Sequence, residues 1–362
     1  MISAGINPEM LILARQIRGI SQSDLAHQLN MSQGRISKAE QGLLSLDSES
    51  FRKLAKVLKF PDEFFMQPGR IYPVEINLFR KRQALTKYSK DKINALLNIL
   101  FIHLNKLLNQ IEVETQIPFM DIDEHGSPKE IANKLRQFWR LPEGPLENLT
   151  NIIESAGIFV LHLDLYNNQF DGLRFMADPN IPIIAINKNV PPDRMRFTLA
   201  HELGHLIMHK ILTKSAEAEA HEFASEFLVP TDQIEFPNRR LNLSHFADLK
   251  RYWKISMAAL ITKAKEQKKI SERQYQYLYA QLNQLGYRMR EPAELDPPIE
   301  SPKLLKKIFE LYNIELGYSR DELIKLFNIS TEDFDAWWGD QLPQNAKKPV
   351  LKLVRGGLEP TN

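Results

Sequence analysis

The sequence predicts a mainly α, multidomain protein whose small sheet is confined to the middle of the chain. Three observations carry this. Apolar residues recur at helical spacing through the first 65 residues, through the stretch from 91 to 116 and again after residue 243. β-prone runs cluster between 157 and 187, in GIFVLHLDL and FDGLRFMADPNIPIIAIN. Prolines and a local change of charge punctuate the chain near 67–73 and 292–302. The expected segments are 1–68, a helical bundle; 69–126, a basic linker and an amphipathic helix; 127–292, an α+β domain; and 293–362, a helical C-terminal region.

Composition narrows the chemistry. With 362 residues and 43% hydrophobic content, the chain can build two or three cores. It has no cysteine, which removes disulfides, thiol catalysis and thiolate metal ligands and leaves His and carboxylate as metal donors. No apolar run reaches the length of a membrane span and the N-terminus has no signal-like pattern, so a cytoplasmic protein without membrane contact is expected. A net charge of +2 carries no argument for nucleic-acid binding, which must come from local pattern.

That pattern lies in SQSDLAHQLNMSQGRISKAEQG. Ser21 is placed to cap a helix through Leu29, Asn30 suits a left-handed turn, and Ser32 is placed to cap a second helix from Gln33. On the second helix Gln33, Gly34, Arg35, Ser37 and Lys38 point outward, towards a major groove, while Ile36 and Ala39 hold the core. Gln22 suits a phosphate, and Glu40 reads as a structural partner. The alternative is a helical module that binds protein or dimerises. The stretch resembles the phage-repressor (Cro-like, XRE) helix-turn-helix on Gln22, Ala26, Ser32, Gln33, Ile36, Ser37, Glu40 and Gly42. Such heads read two half-sites, which makes a homodimer on a DNA operator an expectation.

Arg80, Lys81, Arg82, Lys87, Lys90 and Lys92 make the next stretch basic, and it reads as a linker entering a long amphipathic helix. That helix could pack on the following domain or pair two subunits. Helices are expected over 127–140 and 146–156, then a strand, then a hairpin turning at Asp178-Pro179-Asn180. His162 and Asp164 on the first strand read as structural, although a strand edge there could bind a substrate backbone.

The chemistry centres on RFTLAHELGHLIMH, residues 196–209. Four residues apart on a helix, His201 and His205 can aim two imidazoles at one Zn²⁺, and Glu202 beside them can take a proton from water. Phe197, Ala200, Leu203, Gly204 and Ile207 form an apolar stripe that would bury the pentad, and buried polar groups need partners. The third ligand is sought on the next helix, EAEAHEFASEFLVP, where Ala220, Phe223, Ala224, Phe227 and Leu228 mark the buried face. Glu217 falls at the edge of that face and is the preferred ligand, while Glu219, Glu222 and Glu226 point roughly opposite. Glu219 is the runner-up. His221 reads as a supporting or exposed residue and, less favoured, as a ligand; His209 reads as a hydrogen-bonding residue at the helix end.

INKNVPPDRMRFTLAHELGHLIMH followed by EAEAHEFASEFLVP resembles the ImmA/IrrE family of zinc metallopeptidases, with family-like pieces from about 127 to 292. The resemblance implies a zincin-like fold with His201, His205 and Glu217 on Zn²⁺ and Glu202 as catalytic base. His221 departs from the usual Asn or Asp. The implied activity is a DNA-binding zinc endopeptidase that cuts a specific protein, typically a helix-turn-helix repressor, and so regulates transcription. The competing reading is a non-catalytic repressor or antitoxin whose zinc domain senses metal or binds a partner; Glu202 argues against it, since a structural site needs no base. After Pro230 the pattern is helical over 243–287, and it does not single out Tyr252, Tyr275 or Tyr277 as an oxyanion donor. EPAELDPPIESP reads as an acidic linker. The stretch 319–338 has the outline of a second helix-turn-helix, but Trp337, Trp338 and its acidic residues favour packing or protein contacts over DNA.

Overall fold

The computed structural model describes residues 5–72, 86–164, 171–176, 178, 181–211, 213–237 and 240–342. Arg80, Lys81 and Arg82 of the basic run, and Pro179 and Asn180 of the expected turn, lie outside the described residues.

The head comprises α1 (Pro8–Arg18), α2 (Gln22–Gln28), α3 (Gln33–Glu40), α4 (Ser48–Leu58) and α5 (Asp62–Met66). Local chemistry sets the boundaries. Asn7 caps α1 by accepting from the Glu9 N–H, and Gly19 closes it at φ 66°, where a side chain would be strained. Ser21 caps α2 through the Asp24 N–H, and Asn30, at φ 52°, makes the left-handed turn into α3. Ser32 sits at the N-cap of α3 as expected but makes no side-chain capping bond, so that helix is held by Ile36 and Ala39 instead.

Next comes α6 (Lys87–Leu108), 22 residues long. It is a spine rather than a tail of the linker. It packs along α1, its residues from Ile99 to Leu104 are all buried, and the ring of Tyr72 lies on Phe101. Asn98 is tolerated inside because its amide bonds Tyr72 at both ends, accepting at 2.7 Å and donating at 2.9 Å.

The middle of the chain holds α7 (Ile122–His125), α8 (Pro128–Phe138), α9 (Leu149–Ser155), β1 (Phe159–Leu163), β2 (Gly172–Phe175), β3 (Ile183–Asn187), α10 (Pro192–Met208) and α11 (Ala216–Leu228). Ser127 and Glu130 form a capping box that starts α8, and α9 begins three residues later than expected, at the Asn148 cap. The sheet order is β1-β3-β2, with β1 parallel to β3 and β2 antiparallel to it. Period-two alternation splits the sheet between two cores. Phe159, Leu161, Leu173, Phe175, Ile183 and Ala185 join the core of the head and α6, while Val160, Ile184 and Ile186 face α10 and the second core.

The helical stretch expected at 243–287 is three helices, α12 (Leu243–Trp253), α13 (Met257–Glu266) and α14 (Glu272–Gln284). Left-handed Lys254 and Lys268 break it, and Ser256 and Ser271 restart it. The acidic stretch that follows is pinned rather than free. Glu291 accepts from Lys250 at 2.7 Å, and Glu300 pairs with Arg196 and accepts from the Thr150 N–H at 2.8 Å. Beyond it, α15 (Leu304–Ile314), α16 (Arg320–Phe327) and α17 (Thr331–Trp338) dock on the head and α6. Asp333 pairs with Arg18, Lys106 donates to the Leu326 carbonyl, and the Trp338 indole N–H donates to His103. The outline of a second helix-turn-helix is therefore spent on packing: Phe334 and Trp338 are buried in this core. Among the described residues no helix is long and apolar enough to cross a membrane.

Candidate metal centre and DNA-reading helix

Pro191 and Pro192 start α10, whose early prolines lose no needed hydrogen bond. From Thr198 to Met208 every residue is buried, so the helix is wrapped on all sides rather than along one stripe. Before that run Pro192, Arg194 and Phe197 are half-buried. A Cβ on Gly204 would stand 2.8 Å from the Phe223 ring, so only glycine lets α11 lie this close. That approach brings Glu217 across to the histidines.

The His201 and His205 Nε2 atoms are 3.1 Å apart, and the Glu217 carboxylate stands 3.5 Å from the first and 3.3 Å from the second. Burial pulls the His201 imidazole down to about 4, which keeps it neutral and its lone pair available. Hydrogen bonds from the two imidazoles hold the Glu217 carboxyl well below the usual carboxylate range. Its side chain is 43% exposed, so the cluster opens to solvent on the α11 side. Two imidazole nitrogens and one carboxylate within 4.8 Å of one another form a donor set that fits a divalent cation.

Glu202 lies beside this cluster and is only 2% exposed. Burial pushes its carboxyl up to about 8, against the opposing pull of Arg174. Arg174, on β2, was not singled out in the sequence. Its guanidinium donates to the His205 carbonyl at 3.2 Å and reaches the His209 carbonyl at 3.4 Å, tying the end of α10 to the sheet. A lone arginine in a β-prone run gives no signal of that role.

Glu219 does not join the cluster. It stands 2.9 Å from His209 Nε2, and His209 Nδ1 stands 3.0 Å from His205 Nδ1. His209 is thus a hydrogen-bonding residue at the helix end, as its position suggested. His221 lies outside the cluster too, its ring 4.9 Å from that of Phe197. The outward placement of Glu226 is wrong. It is 2% exposed and accepts from Lys263 at 2.5 Å and from the Thr231 N–H at 2.7 Å, because α13 covers that side of α11. His162 is removed from the cluster, beside Ile186, Arg196 and Glu300, with burial pulling it down to about 4. Of the tyrosines, Tyr252 leans on Trp253, Tyr275 on Tyr279, and Tyr277 is exposed near Arg240.

In the head, Gln33, Gly34, Arg35 and Lys38 are exposed on α3, Ser37 is half-buried, and Ile36 and Ala39 are buried. Gln22 is engaged at both ends, donating to Glu40 at 2.7 Å and accepting from Gln33 at 2.8 Å. Glu40 is held in turn by Arg15 at 2.5 Å, which makes it a partner within the fold. Arg35 approaches Asp47 at 3.6 Å while staying exposed.

Comparison with known families places both regions. Residues 11–65 match the helix-turn-helix family, and residues 153–265 match the IrrE N-terminal-like domain. The chain joins a helix-turn-helix domain to an IrrE-like peptidase domain. No curated protein matches the chain. The IrrE-like match runs from α9 to α13, so it contains the sheet, α10 and α11, and with them the whole His-His-Glu cluster. The paired domains mark a DNA-binding regulator with a metallopeptidase-like domain.

Proposed function

We propose that the protein is a zinc-dependent endopeptidase carried behind a DNA-binding head, and that it regulates transcription by cutting a specific protein, a helix-turn-helix repressor. The observation that carries the reading is the meeting of His201, His205 and Glu217, with the buried Glu202 beside them. The donor set of two imidazoles and one carboxylate leaves a coordination position open, which is the pattern of catalytic rather than structural zinc. A zinc ion held there supplies a Lewis acid that polarises the scissile carbonyl and acidifies water.

The chain's own residues do the rest. A divalent cation at the cluster would offset the burial that raises Glu202 and hold it ionised, so that Glu202 takes the proton of the attacking water on its carboxylate and returns it to the leaving amine nitrogen. The Arg174 backbone N–H donates to the Glu202 carboxyl, and its guanidinium ties the end of α10 to the sheet. β2 is an edge strand of the described sheet and runs beside Glu202, so an extended substrate would add along it rather than along β1. In the head, Gln33, Gly34, Arg35, Ser37 and Lys38 of α3 face the major groove of a DNA operator, and Gln22 at the start of α2 takes a phosphate.

Glu202→Gln tests the reading. Zinc stoichiometry and DNA binding should be retained, while a helix-turn-helix repressor from the same cell accumulates uncut. If no protein accumulates and gene regulation is unchanged, the remaining reading is a repressor with a metal-sensing or partner-binding domain.

A further inference from the structure

A cavity of about 260 Å³ opens between the first half of α10, α11, α13 and the segment after α14. Phe197, Thr198, His221, Ala259, Tyr287 and Met289 border it. Phe197 is four residues before His201 and His221 four after Glu217, so these two lining residues lie about 6 Å along each helix from the cluster. Their rings stand 4.9 Å apart at that end of the lining.

The buried charges around this cavity are already paired, while Glu266 and Arg288 are exposed at its rim. Arg194 holds Asp171 at 2.5 Å, Lys250 holds Asp193 at 2.5 Å and Glu291 at 2.7 Å, and Arg290 is paired with Asp296. At the floor, the Tyr279 hydroxyl and Thr262 bond each other at 2.8 Å. Arg288 lays its guanidinium over the Tyr279 ring at 4.8 Å. A charged guest would lose its water and find these partners committed to one another, whereas an apolar guest gains from the aromatic and alanine walls.

We propose that this cavity receives a bulky apolar side chain of the cut polypeptide, next to the scissile bond, and so selects where the chain is cleaved. Phe197 and Ala259 are its specificity-determining residues. The proposal rests on the peptidase reading, and the test separates the two.

Two peptide hydroxamates serve as probes, identical except that one carries a benzyl and the other a methyl side chain beside the metal-binding group. Binding to the zinc-loaded full chain is measured by calorimetry. The benzyl probe should bind at least about tenfold more tightly. Ala259→Trp, which fills the cavity, should remove that preference and leave zinc content unchanged; Ala259→Leu should reduce it by a smaller factor and serves if the larger change prevents folding. Equal affinities in the native protein, or a preference that survives both substitutions, overturn the pocket while leaving the peptidase reading standing. Failure of both probes to bind a zinc-loaded protein overturns the peptidase reading and the pocket with it.

Discussion

The rings of Phe101 and Phe175 meet edge to face with centroids 5.8 Å apart, which joins α6 to the outer strand of the sheet. The next residue back, Arg174, points to the other side and binds the end of the helix that carries His201 and His205. One strand therefore has a foot in each core. Phe175→Ala should lower stability by about 3–5 kcal/mol, the cost of an aromatic cavity. Because the sheet is shared, calorimetry of the native chain should show one transition with agreeing calorimetric and van't Hoff enthalpies. Two separate transitions would mean that the cores unfold independently.

A second prediction concerns Glu219, His209 and His205. With a cation on its Nε2, His205 would carry its proton on Nδ1 and donate it to His209 Nδ1, 3.0 Å away, and His209 would donate onward to the Glu219 carboxylate at 2.9 Å. Such outer partners orient a ligating imidazole and raise its basicity. Glu219→Gln or His209→Ala should weaken zinc binding about 10–100-fold in competition with a chelator. The double substitution should cost little more than the worse single one, since both break one chain. Unchanged affinity in either would show that His205 is oriented by the backbone alone.

Much of the site was legible because helical periodicity is local. The 3.6-residue repeat alone places His201 and His205 on one face and Glu217 at the edge of the α11 stripe. The same wheel misplaced Glu226, since it measures angles within one helix and cannot see Lys263 arriving from α13 on the opposite side. Glu219 stayed open as the runner-up for the third ligand because its use by His209 depends on how α11 crosses the end of α10. In α6 the apolar pattern was plain, but its occupant was not: the sheet and the C-terminal helices that cover it are distant in sequence. Arg174 was invisible for the same reason, as its partners are backbone carbonyls some 30 residues on.

Acid should loosen the C-terminal dock. His103 is fully buried and stacked on Phe327 at 4.5 Å, and its Nδ1 accepts from the Trp338 indole. Burial, reinforced by nearby Lys106, pulls its imidazole well below the ordinary 6.5. The unfolded chain therefore binds a proton below about pH 6.5 that the folded chain does not. This stabilisation is complete above that pH and is lost as pH falls through the interval towards the folded value. The slope is up to about 1.4 kcal/mol per pH unit. His103→Gln should flatten the dependence of urea stability between pH 6.5 and 5 by up to that amount. Identical slopes would place a proton on His103 in the folded state.

The clamp between Arg18 and Asp333 gives the last prediction. Arg18 donates to both Asp333 oxygens, at 2.7 and 2.5 Å, while also donating to the Leu58 and Lys59 carbonyls and lying over Phe60. Side-chain exposures of 20% and 10% leave the pair little screened by water. A bidentate, charge-assisted contact of this kind contributes about 1.5–3 kcal/mol. Arg18→Ala should cost more than Asp333→Ala, because it also removes the bonds to the end of α4 and the stacking on Phe60. A double-mutant cycle in urea isolates the pair itself, and its coupling should exceed about 1 kcal/mol. Coupling near zero would mean that α17 is held to the head by Phe334 and Trp338 alone, with the ion pair adding nothing to the apolar contact.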